Sequence, residues 1–134
     1  MSYCTKQDLI ARGWELELIQ LTDRNDTNDI DDVILQQAIE DATNDINSYL
    51  QGHYSLPLVT IPAVLTRLAC DLTRYYLFDT SVTEQVDKRY KAVIRYLERV
   101  AKGTIVLPID NGEVQAYENV VLMESAGKQF GRGY

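Results

Sequence analysis

Apolar residues recur along this chain at helical spacing in three long stretches. Between residues 31 and 51, Leu35, Ala38, Ile39, Ala42, Ile46, Tyr49 and Leu50 fall on one side of a helix. That one-sided stripe is the mark of an amphipathic helix facing a core. Between residues 62 and 79, Val64, Leu65, Leu68, Ala69, Leu72 and Tyr76 make a second stripe. A third runs through Val86, Tyr90, Val93, Leu97 and Val100. Its steps of four and three resemble a heptad seam, too short for a coiled coil and suited to a bundle. Two shorter helices precede these, one before Gly13 and one carrying Trp14, Leu18 and Leu21.

Polar punctuation sets the boundaries. Thr5-Lys6-Gln7-Asp8 fits a capping box, and Gly13 a stop. The run at residues 23–32, DRNDTNDIDD, reads as Asx turns closing on an N-cap at Asp29. Gly52 is the expected C-cap of the long helix, and Pro62 the first residue of the next. Pro57 and Pro62 bracket an extended crossover, and Ser81-Val82-Thr83-Glu84 is a second capping box. After Gly103 the periodicity fades. Asn111-Gly112 is a turn signal between Ile105-Val106-Leu107 and residues 114–117, which predicts a small hairpin. Residues 120–123, Val-Val-Leu-Met, suit a strand. The pattern as a whole predicts a mostly α fold. A helical bundle of about five helices occupies residues 1–103, and an extended C-terminal docking tail occupies residues 104–134.

At 134 residues the chain is long enough for one domain with its own core. No apolar run reaches the length of a membrane span, and the first ten residues lack the apolar region of a secretory signal. Synthesis in a cytoplasm, with no membrane partner, is the expectation. Cys4 and Cys70 make no disulfide framework and read as buried or incidental thiols.

Net charge is −7, unsuited to general nucleic-acid coating. Its distribution is uneven. Residues 1–61 hold 11 acidic and 3 basic side chains, whereas residues 62–102 hold 5 acidic and 8 basic. Such halves can meet within the fold or between copies arranged head to tail. Lys88, Lys91, Arg95, Arg99 and Lys102 fall together on one face of the last helix. That stripe is a solvated face, a seat for an acidic neighbour or a phosphate contact; the acidic neighbour is the expectation. Asp71, flanked by Arg67 and Arg74, should anchor a local ion pair. Tyr75 is expected to point at a subunit neighbour, and Tyr117, Phe130, Arg132 and Tyr134 to anchor the docking tail.

Chemistry is hard to find. Asp23, Asn25, Thr27 and Asp29 alternate like the start of a calcium loop. The expected glycine is Asn28, however, and the expected bidentate glutamate is Ile34. His53 is the single histidine, and with two scattered cysteines it builds no zinc site and no catalytic dyad. A helix-end or interface role suits it better. No enzyme, no cofactor and no metal are expected.

The stretches TKQDLIARG, ELIQLTDRND, IDDVILQQAIEDATNDINSYLQGHYSLPL and IPAVLTRLACDLTRYYLFD resemble a family from the head-gene cluster of Mu-like phages and prophages. The ending KQFGRGY is similar to that family's aromatic-basic tail. The helix, Tyr-Ser-Leu-Pro-Leu crossover and helix are similar to phage head–tail connector (adaptor) proteins. What the resemblance implies is a structural virion protein at the neck, forming a homo-oligomeric ring on the portal protein. It would link the capsid to the tail-side neck protein while DNA passes through without sequence specificity. The alternative is a small helical DNA-binding or regulatory protein using the basic stripe.

Overall fold

The computed structural model describes residues 2–109. Expectations for the turn at Asn111-Gly112, the strand at 120–123 and Tyr117, Phe130, Arg132 and Tyr134 lie outside the described residues.

Among the described residues five α-helices follow one another: α1 (Lys6–Ala11), α2 (Glu15–Thr22), α3 (Asp32–Leu50), α4 (Ala63–Phe78) and α5 (Glu84–Ala101). A 3-10 turn, Asp79–Ser81, joins the last two. The three long helices pack on one another, α1 and α2 lie against α4, and α2 also touches α3. The predicted stripes meet at the centre: Leu35, Ile39 and Ile46 from α3, Leu65, Leu68 and Leu72 from α4, Val93 and Leu97 from α5. Each is at most 2% exposed. Burying a side chain of this size stabilises the fold by about 1.5–3 kcal/mol.

Several boundaries follow the sequence signals. Thr5 accepts from the Asp8 amide while the Asp8 carboxylate accepts from the Thr5 amide, so the capping box is complete. Gly103 turns left-handed at φ 82, with its amide on Val100 and the Thr104 amide on Arg99. That pair of bonds is a Schellman stop, and its φ suits glycine.

Others move by one or two residues. The N-cap of α3 is Asp31, not Asp29: its Oδ1 accepts from the Val33 and Ile34 amides. Asp26 and Asn28 turn left-handed and lengthen the loop, and the Asp31 amide is held on the Thr22 hydroxyl. Gly52 is not a left-handed cap. Gln51 is the C-cap, and the His53 and Tyr54 amides both bond to the Leu50 carbonyl in a tightened turn. Pro62 is the N-cap of α4 rather than its first residue. For α5 the cap is Thr83, not Ser81, because the 3-10 turn uses up the residues through Ser81.

Residues 105–107 do not form a strand. They run along the bundle instead, with Leu107 3% exposed and its amide donating to the Tyr54 hydroxyl at 3.0 Å. Ile105 and Ile109 pack beside it.

Candidate functional site

The outer face of α5 carries the basic stripe. Lys88, Lys91, Arg95, Arg99 and Lys102 are all exposed. Helical spacing puts all five within about a quarter of the helix circumference. Lys91 pairs with Asp87 one turn earlier at 3.0 Å. An exposed pair of this kind contributes little, about 0.3–0.5 kcal/mol. Among the described residues the other four have no carboxylate partner.

The neighbouring face of α5 carries a second cationic group, which sequence spacing did not single out. Arg89 on α5, Arg67 on α4 and Arg12 at the end of α1 line one cavity of about 520 Å3, with Asp71, Ala92 and Tyr96 also on its wall. Three helices contribute, so no linear motif announces it. Asp71 does not take the partners on its own helix that the spacing predicts. Its carboxylate faces α5 and meets Arg89 Nη1 at 3.6 Å, not Arg67 or Arg74. Arg74 turns to α2, where its Nε reaches both oxygens of Glu17 and its guanidinium lies 4.5 Å from the Trp14 ring centre.

Tyr75 is half-buried and has an intramolecular neighbour. Its ring stacks on Tyr90 of α5, centroids 3.8 Å apart and planes 9° apart. Tyr76 beside it donates to the Asp45 carboxylate of α3. Burial, reinforced by Asp45, pushes its hydroxyl above the ordinary 10.0.

His53 sits at the end of α3 with Nε2 2.6 Å from the Ala101 carbonyl at the end of α5. It therefore ties two helix C-termini together, a helix-end role in keeping with its position. The thiols are free and buried. Contact with Cys70, and then burial, push the Cys4 thiol well above its ordinary value, so it stays protonated.

The acidic loop after α2 is closed by its own side chains. Asp23 accepts from the Thr27 amide, the Thr27 hydroxyl and the Asn28 amide at 3.0, 3.2 and 2.8 Å. Those amides hold its carboxyl below the usual carboxylate range. Asp31 is committed to the cap and Asp32 to Lys6 at 2.9 Å. Among the described residues, no three His, Cys, Asp or Glu side chains are grouped as metal ligands. Among the same residues, no helix is long and apolar enough to cross a membrane.

Among the described residues, five helices around a leucine-rich core, with a cationic stripe along α5, define a small helical bundle protein. The sequence profile of the family described as "Bacteriophage Mu, Gp36" matches residues 3–125, and the chain belongs to that family. It is 41% identical over 131 residues to the "Mu-like prophage FluMu protein gp36" of Haemophilus influenzae, covering 97% of this chain and 93% of that protein. It is 38% identical over 105 residues to "Gene product J" of Escherichia phage Mu, covering 77% of this chain and 74% of that protein. This is a protein of the Mu-like phage lineage.

Proposed function

We propose that this chain is a head–tail connector, a structural protein of the virion neck encoded with the head genes. Copies form a ring on the portal, join capsid to tail-side neck protein and leave a channel for DNA. The observation that carries this reading is the exposed cationic stripe of α5, set against an N-terminal half of opposite charge. Unlike surfaces on one chain favour heterologous contacts, the kind that close into rings. Membership of a Mu-like phage family supports a place in the particle. A net charge of −7 suits a channel wall that DNA passes without sticking. The role is one of assembly, not catalysis.

Changing Lys91, Arg95 and Arg99 to Glu tests it. The expected result is a folded chain that no longer assembles on portal. Assembly that persists while only DNA affinity falls would favour a DNA-binding regulator instead. Deleting residues 124–134 is the companion test. Separated heads and tails are expected, and normal joining would show that segment to be dispensable.

A further inference from the structure

Two groups of unpaired charge in this protein match, one cationic and concave, the other acidic and on a fixed loop. On the cavity between α4 and α5, Arg12, Arg67 and Arg89 bring three positive charges against the single carboxylate of Asp71. Arg89 reaches that carboxylate at 3.6 Å; Arg12 and Arg67 are exposed and have no ion pair among the described residues. A concave surface holding two uncompensated guanidiniums concentrates positive potential and favours a bound carboxylate. Guanidinium forks also suit carboxylate geometry better than a point charge does.

The acidic half supplies the complement. Most of its carboxylates are already engaged: Glu17 with Arg74, Asp23 with the loop amides, Asp31 with the α3 amides, Asp32 with Lys6. Asp26 and Asp29 are exposed and have no hydrogen-bond or ion-pair partner among the described residues. They share one loop whose backbone is fixed by Asp23 and by the bond from Asp31 to Thr22. A fixed loop presents its carboxylates with little ordering cost on binding. The loop's own recess, lined by Lys6, Glu15 and Asp29, shares no residue with the arginine cavity. Donor and acceptor are therefore separate surfaces of one chain.

We propose that the arginine cavity receives Asp26 and Asp29 from a second copy of this chain. The contact is heterologous: each copy gives its loop to one neighbour and its cavity to the other. This inference rests on the ring reading above and names the surfaces that would join the ring. It also leaves the α5 stripe available to portal, since the cavity lies on the adjacent face.

The experiment uses the full chain and charge reversal. D26K/D29K and R12E/R67E each place like charges at the contact, and R67E alone leaves in place Arg12, whose guanidinium also contacts the buried Cys70 thiol. Self-association is read by sedimentation and by lysine cross-linking in assembled particles, with circular dichroism as the folding check. Each reversal is expected to weaken association at least tenfold while the helical signal stays. The chain carrying D26K, D29K, R12E and R67E together should recover it. Wild type that associates while every variant associates equally would overturn this contact and leave the ring standing. Loss on reversing the cavity but not the loop would assign the cavity to another acidic partner and also overturn it. A wild type that forms no multimer in solution or in particles would remove the ring reading and this inference together.

Discussion

Arg74 and Glu17 join α4 to α2 through a single guanidinium nitrogen, Nε, placed 3.0 and 3.1 Å from the two carboxylate oxygens. Their side chains are only 14% and 21% exposed, and the guanidinium also lies over Trp14. Removing one partner of a mostly buried pair strands the other. Arg74→Ala should therefore cost about 1.5–3 kcal/mol in urea unfolding. Lys6→Ala, at a pair exposed on both sides, should cost under about 1 kcal/mol. Equal costs would mean that the Arg74 contact is no better shielded than the surface one.

The segment beyond α5 should matter to stability at Leu107. Leu107→Ala removes a side chain 3% exposed, at a cost of about 2–4 kcal/mol. Tyr54→Phe deletes the acceptor for the Leu107 amide and should cost about 1 kcal/mol. Leu107→Ala should lower the melting temperature by several degrees. An unchanged melting temperature for Leu107→Ala would contradict this.

Alkali should unfold the protein through its tyrosines. Burial raises the hydroxyls of Tyr3, Tyr76 and Tyr90 above 10.0, and Asp45 adds to the effect at Tyr76. A group whose folded pKa is raised gives stability that is complete below the unfolded value and lost as pH climbs past it. Stability should hold to about pH 10 and fall above it. Tyr76→Phe should be less stable at neutral pH by about 1 kcal/mol yet show a shallower alkaline decline. An unchanged slope would place the effect elsewhere.

Calcium should not raise the melting temperature. The Asp23 carboxylate is occupied by the Thr27 and Asn28 amides, and Ile34 stands where a bidentate ligand would be needed. A rise with calcium that EDTA reverses would overturn this. The depressed Asp23 carboxyl keeps its contribution above the ordinary carboxylate range and loses it as pH falls below that range. Asp23→Asn should accordingly flatten the acid limb of stability below about pH 4.

The helices were legible because each long one keeps its apolar residues on one face, as Leu35, Ile39 and Ile46 do on α3. Caps were legible where one local bond decides, as at Thr5. They slipped where a loop could end at either of two acceptable residues: Asp29 and Asp31 both suit an N-cap, and the Thr22 hydroxyl chose the second. The basic stripe could be read because it lies along one helix. The arginine cavity could not, since Arg12, Arg67 and Arg89 come together only when α1, α4 and α5 are packed. Asp71 failed for the same reason: spacing offers partners on its own helix, and packing supplied one from another.

The hydrogen bond from the Leu107 amide to the Tyr54 hydroxyl fixes the chain beyond α5 against the turn that closes α3. A load drawn through that chain would therefore fall on the corner where His53 joins the ends of α3 and α5, and not on the last turn of α5 alone.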